Sequence, residues 1–491
     1  MSVPRVIVFG LDCAPPRLLF EEWCDQLPNI RRLMKEGCHG PMRSCDPPIT
    51  IPAWSCMLSA KSPADLGFYG FKNRKDYSYF EKDFVTSEAV KEKMVWDTLG
   101  NHGKTSILLG IPQTYPAFPI HGTMVSGFLC PSLDSRCTYP DEIKNELRRI
   151  SPDYLFDIPS YRHTDKNAIY RALVQMADSQ FKFFEHLLKT KPWDFAMIMQ
   201  IGTDRLQHCF WTDWDTTHPL HDRKSKFKNA MLDYYKRLDD WIGKILKQVG
   251  KEPLVFVVSD HGAKPMLGGI AINEWLIEKG YLKLKNYPEK PTSVEQCEID
   301  WPATTAWGLG GYACRIYVNV LGREKEGKVL PSDFENIRQR ITEELMEIRG
   351  LNQVPLDTKV HTPEALYGKR TPNAPDLFVY FDDLNYRSLG SVGSRRIAQL
   401  ENDQGPDGAN HDYNGIFIAS GPGLKISGQK MDRLTLFDVA PTILAHFGID
   451  AESSMNGRNV LNTASVHPTE AFTDREKEAL DERLRSLGYL G

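Results

Sequence analysis

Arg5-Val-Ile-Val-Phe-Gly-Leu-Asp12 opens the chain with a short, unbroken apolar run that stops on a carboxylate. Such a run reads as a strand covered on both faces, because a strand with one wet face alternates apolar and polar residues. Pro15 and Pro16 then break the extended backbone, and Pro28–Glu36 carries Ile30, Leu33 and Met34 at helical spacing before Gly37 ends it. Strand followed by helix begins an alternation that recurs. Further strands are predicted at Thr105–Ile111, Phe195–Ile201, Leu254–Ser259 and Tyr413–Ala419. Helices are predicted at Asn167–Leu188 and Ser225–Leu246, the second with Met231, Tyr235, Leu238, Ile242 and Ile245 on one stripe. The expected fold is therefore α/β, a three-layer sandwich with a mostly parallel central sheet, in which ligands sit beyond the carboxyl ends of the strands.

Composition bounds the partners. Sixty Lys and Arg against 64 Asp and Glu leave a net charge of −4, with both signs interspersed, so no global field attracts nucleic acid or anionic lipid. No run reaches the length of a membrane helix, and Val6–Leu11 is too short and too near Met1 for a secretory signal, so a cytoplasmic protein is expected. Ten cysteines without a Cys-x-x-Cys pair read as reduced thiols. Two stretches interrupt the alternation, at about 73–92 and about 281–396, and are expected as insertions or a cap on a single domain spanning 1–491. A charged amphipathic helix is expected at Ala471–Leu490.

Four motifs place Asp and His near strand ends. In Gly202-Thr-Asp204-Arg-Leu-Gln-His208 the carboxylate and imidazole are four apart, which puts them on one face of a helix. Val258-Ser-Asp260-His261-Gly262 ends a strand in a turn closed by glycine, Gly408-Ala-Asn-His411 precedes another strand, and Asp12 ends the first. Each alone has an ordinary explanation as a cap, a surface pair or a turn. Together they suit zinc or another first-row divalent ion, and two such ions clamp a phosphoryl group. Thr50 lies between prolines in Asp46-Pro-Pro-Ile-Thr50-Ile-Pro-Ala-Trp54, just ahead of a predicted helix Ala53–Ala60 whose N-terminus favours an anion. A threonine hydroxyl becomes a nucleophile when a metal deprotonates it.

With these residues assembled, the sequence resembles the alkaline phosphatase superfamily. It is most similar to the type I phosphodiesterase/nucleotide pyrophosphatase branch and its uncharacterised phosphohydrolase/phosphomutase relatives. The pieces that carry the likeness are the runs around Asp12, Thr50, Lys61–Gly67, Asp204–His208, Asp260–His261 and His411, with Ala306–Gly327 and Leu484–Leu490 similar to the uncharacterised relatives. The resemblance implies two divalent ions, zinc first and manganese as the alternative. Asp204, His208 and His411 would hold one, and Asp12, Asp260, His261 and Thr50 the other. It implies that Thr50 attacks phosphorus to form a phospho-threonine, which a water activated by the first ion then hydrolyses. The family also places an Asn after the nucleophile against a phosphoryl oxygen. Phe71 stands at that spacing, 21 residues beyond Thr50, and Asn73 is the nearest Asn.

The expected activity is hydrolysis of a phosphodiester or nucleotide pyrophosphate of a small molecule. A phosphomonoesterase or phosphomutase using the same site is the alternative, and a non-catalytic binding protein on the same scaffold is the rival of another class. The phosphate affinity is expected from the two ions rather than from a basic surface. Gly308-Leu-Gly-Gly311 precedes a strand, which rules against a dinucleotide loop, and neither a nucleophile elbow nor a Walker A loop occurs. At least one ring among Trp54, Phe68, Phe71 and Trp211 is expected to line the pocket, while His218 and His221 read as surface residues. Cys13-Ala-Pro-Pro-Arg17 matches the sulfatase maturation pattern, but follows the first metal-ligand Asp instead of standing where Thr50 does. Cys13→Ala is therefore expected to retain activity and Thr50→Ala to lose it, and the opposite ranking in a phosphoesterase assay would overturn the nucleophile assignment.

Overall fold

Five parallel strands form the middle of the protein in a computed structural model that describes residues 4–159, 162, 165–400, 402–403, 405–424 and 426–461. In spatial order they are Leu254–Val258, Val6–Leu11, Phe195–Gln200, Ser106–Leu109 and Gly122–Val125. Every residue of the first three is buried, as strands covered on both faces require. Their register brings Leu11 beside Gln200 and Gly10 beside Val258, so all three strands stop at nearly the same level. Asp12, the Gly202 helix and Ser259–His261 consequently emerge side by side.

The sheet is mixed at its margins. Asn414–Ser420 runs antiparallel to Leu254–Val258 and also pairs with Cys38–Arg43, a strand that the sequence pattern did not suggest because Gly40 and Pro41 interrupt it. One group of helices, Pro28–Glu36, Lys166–Thr190 and Ala230–Val249, packs together, as does a second, Thr50–Ser59, Val95–Asn101 and Val439–His446. Both share one apolar core with the sheet, so the α/β class is as expected. Gly37 ends its helix at a point of close approach: a Cβ there would lie 1.9 Å from the Ala419 carbonyl oxygen. The Ala471–Leu490 helix lies outside the described residues.

Between 281 and 396 the chain builds a separate antiparallel sheet from Ala306–Leu309, Cys314–Val318, Lys359–His361 and Leu377–Tyr380. It has its own core, which includes Trp307, Ile316, Ile341 and Leu377. The strands Lys72–Arg74 and Lys82–Phe84 form a hairpin that docks on it. Arg74 reaches the buried Glu324 at 2.9 Å, and the Tyr79 ring stacks on Trp301 with centroids 3.5 Å apart. Both interruptions of the α/β alternation thus come together as one structure.

The α-helix Pro28–Glu36 has no capping side chain of its own at Leu27. Asp239, buried on the Ala230–Val249 helix, supplies one in trans: its carboxylate accepts from Ile30 N at 2.8 Å and Asn29 N at 3.1 Å. Asp239→Ala strips a buried charged acceptor from two helix-end amides. It is expected to destabilise by roughly 1–3 kcal/mol, read as a lower urea midpoint, with Asp239→Asn intermediate.

Candidate active site

Thr50 is the first residue of its helix, three positions earlier than the sequence pattern suggested. Pro52 is accommodated because the first turn has no internal acceptor for its amide. The Thr50 hydroxyl lies 3.5 Å from Asp12 Oδ1 and 3.3 Å from His261 Nε2. One turn on, Trp54 Nε1 donates to the other Asp12 oxygen at 2.6 Å. Ser259 joins the two neighbouring strand ends: its Oγ accepts from Ala14 N at 2.9 Å and donates to His261 O at 2.5 Å.

All seven candidate metal ligands converge and all are buried. Asp204 and His208 share a face of the Gly202–Trp214 helix, with Asp204 Oδ1 3.2 Å from His208 Nε2 and 3.5 Å from His411 Nε2. Asp260 Oδ2 stands 3.2 Å from His261 Nε2. His411 precedes the strand Asn414–Ser420, as expected, and lies itself within a short strand, Ala409–Asp412, paired antiparallel with Gly262–Pro265. Gly262 allows a close approach of the following strand, since a Cβ there would meet Asn414 O at 2.2 Å. The rings of His261 and His411 stack at 3.9 Å.

Each imidazole has its Nδ1 occupied: His208 on Asp407 Oδ1 at 2.8 Å, His411 on Pro48 O at 2.7 Å and His261 on Gly262 O at 3.1 Å. Their Nε2 atoms are thereby aimed into the cluster, the usual arrangement of ligating histidines. Asp204 Oδ1, Asp260 Oδ2 and His411 Nε2 are buried there without a hydrogen-bond partner. Orphaned acceptors at one point, supplied by carboxylate and imidazole, fit divalent cations.

The charges agree. Burial, then the charge of Asp204, pushes the Asp12 carboxyl well up, and burial with the charge of Asp12 does the same to Asp260. Burial would also raise Asp204, but His208, His411 and Arg205 hold it well below the usual range. Burial lowers the affinity of His208 for a proton, yet the carboxylates of Asp407 and Asp204 outweigh this and lift it to about 9. Cys13 lies within 4.8 Å of its neighbours in the His261–His411 group, and burial beside three carboxylates pushes its thiol well up, which keeps it protonated.

Several of these groups carry no signal in the sequence. Asp407 orients His208 and is itself held by Arg162 at 2.8 Å and Arg387 at 3.5 Å. Arg205 binds Asp204 at 2.6 Å and Asp157 at 2.7 Å. Tyr312 lays its ring 4.0 Å from that of His411, with its hydroxyl 3.0 Å from His208 Nε2. Only the adjacency of Arg205 to Asp204 was visible as a pattern.

A cleft of about 570 Å³ leads from Thr50, Asp204 and His411 to the two interrupting regions. Phe71 lines it, whereas Phe68 and Trp211 belong to the core and Trp54 serves Asp12. Asn73 does not reach the cleft, its amide donating to Gly67 O at 2.9 Å. His218 is buried, not superficial as expected, and donates to Met266 O at 2.9 Å apart from the cluster. The cleft wall also departs from the expected absence of a basic surface: Lys72, Lys82, Arg162, Arg205, Arg315 and Arg387 all line it. Among the described residues, no helix is long and apolar enough to cross a membrane.

Residues 6–413 match the family model of the type I phosphodiesterase / nucleotide pyrophosphatase. No curated protein matches the chain in sequence. Among solved structures, phosphonoacetate hydrolase from Sinorhizobium meliloti 1021, in complex with phosphonoformate, is similar with a TM-score of 0.57 at 14% identity, over 89% of this chain and 94% of that one. Human ectonucleotide pyrophosphatase/phosphodiesterase 5 is similar with a TM-score of 0.54 at 14% identity, over 93% of this chain and 100% of that one. The fold is that of these alkaline-phosphatase-like proteins.

The sign of the pH dependence follows from the cluster. His208, lifted from 6.5 to about 9, stabilises the metal-free fold fully below pH 6.5, and that stability is lost as pH rises through 9. Asp12 and Asp260, raised above 3.8, hold more protons folded than unfolded, so their slope has the same sign. His261 and His411, whose proton affinity burial lowers, have the opposite slope, which fades once the pH has passed 6.5 and the unfolded imidazoles are neutral. On the alkaline side of that point the melting temperature of chelator-treated protein is expected to fall as pH rises to 9. Added zinc or manganese should raise it most at the alkaline end, because protons compete with the ions for the ligands. A flat profile with no metal response would remove the case for a metal centre.

Proposed function

The chain belongs to the type I phosphodiesterase/nucleotide pyrophosphatase family and is a phosphoric ester hydrolase, and from that premise we propose that it cleaves a phosphodiester or nucleotide pyrophosphate through a covalent intermediate on Thr50. The observation that carries this reading is the position of the Thr50 hydroxyl, at a helix N-terminus and within 3.5 Å of both Asp12 and His261. Asp204, His208 and His411 would hold one divalent ion, and Asp12, Asp260, His261 and Thr50 a second, with zinc the first choice and manganese the alternative. The ions would supply positive charge that favours the threonine alkoxide and offsets charge on the phosphoryl oxygens.

This chain's own residues do the rest. Trp54 fixes the orientation of Asp12, and Asp407, Pro48 O and Gly262 O fix the three imidazoles. Thr50 Oγ1 forms the new bond to phosphorus as the bond to the leaving group breaks, and water then releases the phosphoryl group from the threonine. The free amides of the first helical turn favour the anion at that place. The two interrupting regions, about 73–92 and about 281–396, act as the cap that selects the leaving group. The substrate is a small-molecule phosphate ester.

Bis-p-nitrophenyl phosphate is expected to be turned over in preference to p-nitrophenyl phosphate. Chelator should abolish both activities, and metal restore them. Acid quenching during turnover should leave phosphate on Thr50, detectable by mass spectrometry. Monoester preference would favour the phosphomonoesterase or phosphomutase alternative, and inactivity with every metal the binding protein.

A further inference from the structure

Away from the Asp/His cluster, the cleft has a second charged end. Lys72 and Lys82 stand on the two strands of the hairpin, Arg315 on Cys314–Val318, and all three line the cleft with Glu295 between the two regions. The remaining cleft cations are committed elsewhere, Arg162 and Arg387 to Asp407, and Arg205 to Asp204 and Asp157. Lys82 pairs with Glu295. Among the described residues no carboxylate lies within ion-pair distance of Arg315, and its Nε is buried without a hydrogen-bond partner. Lys72 has no carboxylate either, its ammonium resting 4.6 Å over the Phe84 ring.

Among the described residues, these three cations thus have one carboxylate, Glu295, within ion-pair distance. Asp403, the other carboxylate on this wall, is already engaged, its Oδ2 accepting from Gly390 N and Ser391 N. Burial draws the Lys82 ammonium down, Glu295 opposes this, and the charges of Arg315 and Lys72 add to the lowering. A half-buried guanidinium with an unsatisfied donor, crowded by two ammonium groups, is an arrangement that an incoming anion relieves.

We infer that this end of the cleft is a subsite for a second anionic group of the substrate, a carboxylate or a phosphoryl group other than the one being cleaved. The substrate class is then a phosphate ester or anhydride with two anionic heads, one at the Asp/His cluster and one at Arg315, Lys72 and Lys82. The inference rests on the reading of that cluster as the phosphoryl site.

Isothermal titration calorimetry on the metal-loaded protein tests it without requiring turnover, so inactivity in the esterase assays would defeat the proposed reaction and leave this measurement to decide the subsite. Three ligands suffice: methylphosphonate, phosphonopropionate and ethylene bisphosphonate. The two-headed ligands are expected to bind about tenfold or more tighter than methylphosphonate, the gain of a charge-assisted contact. Whichever of the two gains more identifies the second group as carboxylate or phosphoryl. In Arg315→Gln, and independently in the more exposed Lys72→Gln, the ratio should shrink to within about threefold, with Arg315→Lys keeping part of it. Equal affinities in the wild-type protein, or a ratio unchanged in both Gln variants, would overturn the subsite.

Discussion

Three carboxylates and three imidazoles buried together set the terms for the rest of the molecule. Asp12, Asp204 and Asp260 repel one another in a medium that screens poorly, and among the described residues the cations that meet one of them directly are Arg205 and a protonated His208, both on Asp204. Such a cluster persists only if something holds it together. The sheet does so mechanically, because three neighbouring parallel strands ending at one level leave their successors no other place to go. The hydrogen bonds on the Nδ1 atoms do so chemically, by turning each Nε2 toward the carboxylates. Two added dications would convert the repulsion into attraction, which is why the cluster is sensible in a hydrolase of this family and costly otherwise.

Much of this was legible before any coordinates. The apolar runs ending at Leu11, Ile201 and Ser259 gave away both the parallel sheet and the level at which its ligands emerge, because buried strands admit few polar residues and a carboxylate at the end of one stands out. The Asp204–His208 spacing was legible for the same geometric reason. What was not legible lies where proximity arises from tertiary packing alone. Asp407 meets His208 across 199 residues, and neither Arg162 nor Arg387 sits in a pattern that distinguishes it from a surface arginine. Asp239 caps a helix 210 residues away for want of a local cap. The pairing of His411 with the Gly262 strand was not legible either, because Ala409–Asp412 is too short and polar to announce a strand.

Charge illustrates the gap between a total and a distribution. A net −4 describes the solvent-facing average and hides a cleft whose wall carries six cations. Three of these serve as structural counterions to Asp407, Asp204 and Asp157, so they contribute to the shape of the site more than to its potential. The other three come from the hairpin and the separate antiparallel sheet, which have no share in the strand ends that bear the Asp/His cluster.

That division of labour has a consequence for how such a protein can change over generations. The Asp/His cluster is built from one layer of the molecule, and the cleft wall facing it from another with its own core. Replacements in the hairpin or in Cys314–Val318 can alter what is admitted while the strand ends stay as they are. Selectivity can therefore drift by inheritance through one module as the reaction itself is kept constant by the other.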